Sequence, residues 1–254
     1  MASYDEMAGI YDQMIRWKSR LERETPFLQR LFAERRIHRV LDLGCGTGKH
    51  ARLFHKWGCE VVGVDASAKL LESAREQFKD DAENITFVHA DFAEFVDKVK
   101  GPFDAVLSLG NSLPHVRDEV ELKQTLSSIY TLLKPEGVFV FQNRNYDRLL
   151  KTGERFLLPL THRQADNEQI FFRFNDFKDH KVQFNVVHFT RVGEGWIHEV
   201  HSMDLEPIRQ EVMESLLRES GFTALNFYGD FSGTPFDPET SADLVGLVRK
   251  PKDA

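Results

Sequence analysis

Residues 40–48 read Val-Leu-Asp-Leu-Gly-Cys-Gly-Thr-Gly, and few stretches of nine residues constrain a fold as tightly. Val40, Leu41 and Leu43 make a short buried strand. Gly44, Gly46 and Gly48 then turn the chain sharply and remove side chains from the turn, so a ligand can lie against backbone at the start of a helix. The spacing narrows the ligand. A dinucleotide site reads G-x-G-x-x-G, and a phosphate loop ends in Gly-Lys-Ser/Thr. Here the spacing is G-x-G-x-G, and Gly48 is followed by Lys49 and His50. Asp42, inside the motif, would repel a pyrophosphate but attract an ammonium group. A nucleoside with an amino acid tail fits better than a phosphorylated ligand. The plain alternative is a glycine turn in any α/β protein.

The rest of the first 150 residues alternates strand and helix. Met7, Ile10, Met14, Trp17 and Leu21 recur at helical spacing, which predicts a helix over 4–21 with Ser3 and Glu6 as a capping box. Pro26 opens a second helix over 25–35. Strands are expected at 39–43, 60–64, 85–89, 103–109 and 138–142. Between them lie helices at 48–57, after a Ser67 cap, and along Leu122, Leu126, Ile129 and Leu133. The reading is an α/β fold, a Rossmann-like doubly wound sheet with helices on both faces. After about 150 the period changes to two. Ile170, Phe172 and Phe174 alternate with Phe171, Arg173 and Asn175, and similar runs cover 182–188 and 196–204. That predicts an antiparallel β insertion. Pro207 then opens a helix stopped by Gly221, and strands at 223–228 and 242–249 finish the sheet. The expected organisation is a core over 1–150, the insertion over 151–205 as an acceptor-side cap, and a closing segment over 206–254.

Composition removes several classes. A net charge of −7 over 254 residues argues against binding nucleic acid through phosphate neutralisation. Cys45 and Cys59 form no paired motif, which points to a reducing cytosol and no zinc site. No apolar run reaches membrane length and no signal peptide is visible, so a cytoplasmic protein is expected, with homo-oligomerisation open. His188, His198 and His201 invite a metal reading, but His198 and His201 fall on opposite faces of a strand, and none is assigned.

Two acids follow the glycine motif. Asp65 ends the second strand and can accept both hydroxyls of a ribose. Asp91, in Ala90-Asp91-Phe92, ends the third, where its carboxylate can meet the amine of an adenine and Phe92 the ring. Each has an ordinary reading, a structural acid for Asp65 and a helix cap for Asp91. A glycine loop, an acid and an acid on successive strand ends are far more specific together.

With these residues the chain resembles the class I S-adenosylmethionine-dependent methyltransferases, over about 36–145 and the last strands. The carriers are Leu41–Gly48, Val64-Asp65, Ala90-Asp91-Phe92 and Leu132-Leu133-Lys134-Pro135-Glu136-Gly137. The resemblance implies a seven-stranded sheet with one antiparallel strand. It also implies S-adenosylmethionine as cofactor, S-adenosylhomocysteine as product, and the loop at the methionine portion. A set comprising Tyr11, Arg20, Asp42, Gly44, Cys45, Gly46, Gly48, Asp65, Ala66, Ala90, Asp91, Phe92 and Leu109 would bind the cofactor. More narrowly, Gly110-Asn111-Ser112-Leu113-Pro114-His115 and Arg144-Asn145-Tyr146-Asp147 resemble the glycine and glycine/sarcosine N-methyltransferases. That group implies Asn111 on the substrate, Arg144 on its carboxylate, His115 near the methionine end and Arg20 on the cofactor carboxylate. The function expected is transfer of a methyl group to a small carboxylate-bearing amine. The rivals are O- or C-methylation of a small molecule, a non-catalytic cofactor-binding protein, a nicotinamide dehydrogenase and an RNA methyltransferase. The aromatics Phe171, Phe172, Phe174 and Phe177 read as core or as a contact surface.

Overall fold

A computed structural model describes residues 4–79, 84–164 and 167–252. The motif strand is β1 (Arg39–Leu43), and it lies at the centre of a seven-stranded sheet. The other strands are β2 (Glu60–Asp65), β3 (Ile85–His89), β4 (Phe103–Ser108), β5 (Leu133–Arg144), β10 (Thr223–Tyr228) and β11 (Asp243–Arg249). Their order is β10-β11-β5-β4-β1-β2-β3, with β11 antiparallel to both neighbours and the other pairs parallel.

Side-chain alternation builds two core layers. Leu41, Leu43, Val106, Phe139 and Phe141 face one side, against α5 (Phe95–Lys98), α6 (Glu119–Leu132) and α8 (Gln210–Glu219). Val40, Val61, Ala105, Leu107 and Val140 face the other, against α2 (Trp17–Arg35) and α3 (Lys49–Lys56). Both faces of the central strands are therefore dry, which explains their near-continuous apolar runs. The remaining helices are α4 (Ala68–Gln77), capped by Ser67 Oγ accepting from Leu70 N at 3.1 Å, and α7 (Tyr146–Thr152). Among the described residues, no helix is long and apolar enough to cross a membrane.

The second sheet is an antiparallel meander of β6 (Leu160–Gln164), β7 (Asn167–Lys178), β8 (Lys181–Val192) and β9 (Gly195–Leu205). Its inner face puts Leu160, Phe171, Val186 and Met203 against Met7 and Met14. Lower on that face, Val182 and Leu205 pack on Tyr146 and Leu149 of α7. The strand β6 carries too little alternation to be seen in the sequence. Phe171 is inward and fully buried, whereas Phe172 and Phe174 stay partly exposed, packed on Phe156.

The N-terminal region departs from expectation. In place of one helix over 4–21 there is α1 (Tyr4–Met7), a 3₁₀ turn over Tyr11–Met14, and then α2. The expected Ser3 cap lies outside the described residues. Polar contacts explain the break. Asp5 Oδ1 accepts from Ser67 Oγ at 2.5 Å and from Lys69 N at 3.2 Å. Asp12 Oδ1 accepts from Thr47 Oγ1 at 2.6 Å and Trp17 Nε1 at 2.9 Å. Both acids are spent on the loops of the sheet, which bends the segment onto them. Pro26 sits within α2 instead of opening a helix. The missing N–H costs one hydrogen bond, and burial of Phe27, Leu28, Leu31 and Phe32 on one face holds the helix through it.

Gly246 marks the tightest strand contact. A Cβ there would lie 2.1 Å from Cε1 of buried Phe141, whose ring is wedged beside Phe139 and Phe227. Gly246→Ala should therefore destabilise the fold by about 1–3 kcal/mol, read as a lowered midpoint in denaturant unfolding. An unchanged midpoint would show that the ring can swing clear.

Candidate functional site

The carboxyl ends of β1 to β5 open on two adjoining cavities. The smaller, about 90 Å³, lies over β1, β2 and β3. The larger, about 1000 Å³, lies between β5, the N-terminal segment and the inner face of the second sheet. Tyr4, Tyr11, Gly110 and His115 belong to the walls of both.

Close approach of two loops creates the junction. Gly44 has φ +82°, and a Cβ on it would lie 2.6 Å from Cβ of Ser112. Gly110 has φ +84°, and a Cβ there would lie 2.8 Å from the Arg20 guanidinium nitrogens. Only glycine provides both the backbone angle and the clearance at these positions.

The glycine loop does not present a row of free amides. Gly44 N and Cys45 N donate to Val64 O at 2.8 and 2.9 Å, and Gly46 N donates to Asp65 Oδ2 at 2.7 Å. Gly48 N donates to Cys45 O. The expectation of a ligand held by loop amides is corrected accordingly: the amides tie the loop to β2. Asp65 spends its other oxygen on Ser67 N at 2.8 Å. Burial pushes its carboxyl up, while these two bonds pull the other way. Asp91 Oδ1 accepts from Ala93 N and Glu94 N at 2.9 and 3.0 Å, a local cap. Both acids still line the smaller cavity, Asp65 keeping a lone pair on each oxygen and Asp91 keeping Oδ2.

Of the predicted residues, Gly44, Asp65 and Ala66 line the smaller cavity, as do Ala90, Asp91 and Phe92. Arg20, Asn111 and Arg144 line the larger, and Tyr11 and His115 line both. Asp42, Cys45, Gly46, Gly48 and Leu109 line neither. The reasons are steric. Asp42 is turned toward the start of α3, beside His50 and the Ala51 amide, and is only 1% exposed. Cys45 Sγ turns toward Gly63, and Gly48 packs against the rings of Phe78 and Phe87. Gly46 is covered by the Tyr11 ring, with the hydroxyl 3.2 Å from where a Cβ would stand. Leu109 is buried in the apolar layer beneath.

Asn111 is more engaged than expected. Its backbone is left-handed, with φ 65°. Its Oδ1 accepts from Arg144 N at 2.9 Å and its Nδ2 donates to Tyr146 OH at 3.1 Å. Beside it, Gly110 N donates to Gln142 Oε1 at 2.8 Å. Asn111 therefore locks the β4 loop to the end of β5 and sets the start of the Arg144 side chain. His115 Nε2 is hydrogen-bonded to Tyr4 OH at 3.0 Å, the two rings meeting edge to face. Burial lowers the imidazole to about 4, and burial raises the Tyr4 and Tyr11 hydroxyls. All three are neutral at physiological pH.

Arg20 belongs to a buried chain. Its Nε donates to Glu24 Oε1 at 2.8 Å, and Glu24 Oε2 meets His50 Nε2 at 2.6 Å. Burial pushes the Glu24 carboxyl up, but the His50 and Arg20 contacts outweigh it and leave it lowered. Arg20 Nη2 is buried without a partner. Sequence reasoning missed Arg173 and Asn175, both lining the larger cavity. Their signal was parity: both share the inward face with Phe171. Among the described residues no cluster of three His, Cys, Asp or Glu side chains could hold a metal.

Residues 40–137 match the methyltransferase domain family. A glycine/sarcosine N-methyltransferase of Aphanothece halophytica is 31% identical over 225 residues, covering 88% of this chain and 81% of its own. A glycine/sarcosine/dimethylglycine N-methyltransferase of Actinopolyspora halophila is 32% identical over 225 residues, covering 88% of this chain but 38% of its own. In shape, the chain is similar to an S-adenosylmethionine-dependent methyltransferase from Clostridium acetobutylicum, with TM-score 0.81 and 21% identity over 98% of this chain and 99% of that one.

Asp42 gives a pH signature. Burial pushes its carboxyl up to about 6, against lesser downward pull from His50 and from the Ala51 amide, and its Oδ2 has no partner. The folded state thus holds a proton that the unfolded chain releases near pH 4. Stability from this group is full below that point and is lost as pH rises toward 6. Asp42→Asn should remove a contribution on the order of 2 kcal/mol from that fall. Denaturant unfolding of both proteins between pH 4 and 7 checks it; parallel pH profiles would refute it.

Proposed function

The chain belongs to the S-adenosylmethionine-dependent methyltransferases, and from that premise we propose that it methylates the amine of an amino acid or a similar carboxylate-bearing amine. One observation carries the reading: a cavity bordered by acids and a cavity bordered by arginines meet at neutral groups. Asp65 and Asp91 stand on one side and Arg144 on the other, with Tyr4, Tyr11 and His115 between. The N-methyltransferases among its relatives support the nitrogen acceptor.

The residues present suit the cofactor. In this proposal Asp65 takes the ribose hydroxyls, Asp91 and Phe92 the adenine, and the partnerless Arg20 Nη2 the amino acid carboxylate. A guanidinium with one nitrogen fixed by Glu24 and another free is poised for such a contact. When bound, S-adenosylmethionine supplies a methyl group already activated on a sulfonium. The protein's task is then alignment and exclusion of water. The smaller cavity falls below the roughly 300–1000 Å³ of ordinary ligand sites. Tyr4 and Tyr11 form part of its wall, so the N-terminal segment shifts on loading.

On the acceptor side Arg144 grips the carboxylate, and Asn111 fixes Arg144 through its backbone amide. The amine must be neutral to attack. The junction favours that state, because the hydroxyls of Tyr4 and Tyr11 and the imidazole of His115 carry no charge to stabilise an ammonium. With a value near 4, His115 is too weak a base to hold the amine's proton. It orients Tyr4, and the proton leaves to solvent through the larger cavity.

Transfer of labelled methyl groups from S-adenosylmethionine across amino acids, simple amines and phenols tests the reading. Carboxylate-bearing amines should be labelled; labelling of phenols alone would overturn it. Arg144→Ala should raise KM for such an amine about 10- to 100-fold, the loss of one charged hydrogen-bonding group, with little change in cofactor Kd. Equal kinetics in variant and parent would remove Arg144 from the acceptor site.

A further inference from the structure

The larger cavity holds more cationic capacity than one carboxylate needs. We propose that the preferred amine acceptor carries a second anionic group, a carboxylate or a phosphate, and that Arg173 and Asn175 of β7 receive it. This rests on the amine reading above and names the class of acceptor within it.

Three observations lead here. The first is unsatisfied donors in the wall. Asn175 is only 2% exposed, and its Nδ2 has no partner. Its main chain is pinned, with N donating to Arg155 O at 2.8 Å and O accepting from Arg155 Nε at 3.3 Å. Arg173 reaches Met14 O and Leu158 O through Nη1 and Nη2 at long distances of 3.4 and 3.3 Å, and its buried Nε has no partner. Residues 173 and 175 are two apart on one strand, so both side chains leave the same face. Buried donors left unpaired are costly, and natural structures pair them.

The second is uncompensated charge. Among the described residues, no carboxylate comes within ion-pairing distance of Arg173, Arg144 or Arg16. Burial, and then the repulsion of Arg144 and Arg16, lower the Arg173 guanidinium to about 10. The neighbouring Arg148 and Arg155 differ, being neutralised by Glu154 and Asp176. Arg144 faces the buried Asp243, whereas Arg173 meets no carboxylate among the described residues, so the donors of β7 ask for an anion of their own.

The third is size. At about 1000 Å³ the cavity stands at the upper end of ligand sites. A cavity of that size has room for an amine with a second anionic group beyond the carboxylate at Arg144.

The test is calorimetric binding to the full chain saturated with S-adenosylhomocysteine, paired with methyl-transfer kinetics. The probes are glycine and sarcosine as single anions, aspartate and glutamate as dicarboxylates, and O-phosphoserine as the amine with a carboxylate and a phosphate. At least one of the two-anion amines should bind about tenfold tighter than glycine, and its binding should fall more steeply with salt. Whichever series wins identifies the anion. Arg173→Gln should collapse that discrimination, and Arg173→Lys should restore part of it, because charge returns without the planar fork. Melting temperature and S-adenosylhomocysteine affinity, unchanged in both variants, separate this from misfolding. Methylation of glycine with no preference for any dianion, or equal weakening of every probe by Arg173→Gln, would overturn the inference and leave amine methylation standing. Labelling of phenols alone would overturn both.

Discussion

The site depends on how closely the loops after β1 and β4 approach one another. Gly44 meets Ser112 and Gly110 meets the Arg20 guanidinium at separations that no side chain would permit. This contact fixes the distance between the two cavities. It also places Asn111 where it can hold the main chain of Arg144, so the end of β5 is positioned through the end of β4. Any widening would separate donor from acceptor and turn one continuous site into two. Orientation is the main source of rate when the methyl group is already activated, so the protein's contribution concentrates in this approach.

The electrostatics divide along the same line. The chain is acidic overall, yet Arg16, Arg20, Arg23, Arg144, Arg148 and Arg173 border one cavity. Glu24, Glu154, Asp230 and Asp243 border it too, but all four are already bonded within the protein, Asp243 to the Gln142 side chain. Burial raises Asp243, against the pull of Arg144. A local positive field inside a negative molecule can concentrate small anions without attracting polyanions.

Much of the fold was legible because β strands buried on both faces leave continuous apolar runs, and because Ser67, Gly221 and the glycine turn are local signals. The acids at β2 and β3 were legible as strand ends. What was illegible depended on partners far away in the chain. The break at residues 8–16 follows from Asp5 and Asp12 bonding to loops more than thirty positions on. Pro26 is tolerated because a buried face spans it. Glycine spacing announced the turn but could not say that its amides would be spent on Val64 and Asp65. The arginine cluster was hardest to see, because its members come from the N-terminal segment, α2, β5, α7 and β7. Strand parity placed Arg173 and Asn175 opposite Ile170 and Phe172, but only packing decided which face was inward.

The tether of the N-terminal segment has a kinetic consequence. Tyr4 and Tyr11 wall both cavities, and Asp5 and Asp12 hold that segment to Ser67, Lys69 and Thr47. Opening of these few bonds moves one wall of the smaller cavity. Local unfolding of about a dozen residues is thereby coupled to the time a molecule spends there, beside its affinity. Substitutions that loosen Asp5 or Asp12 then act on release without touching the molecule released.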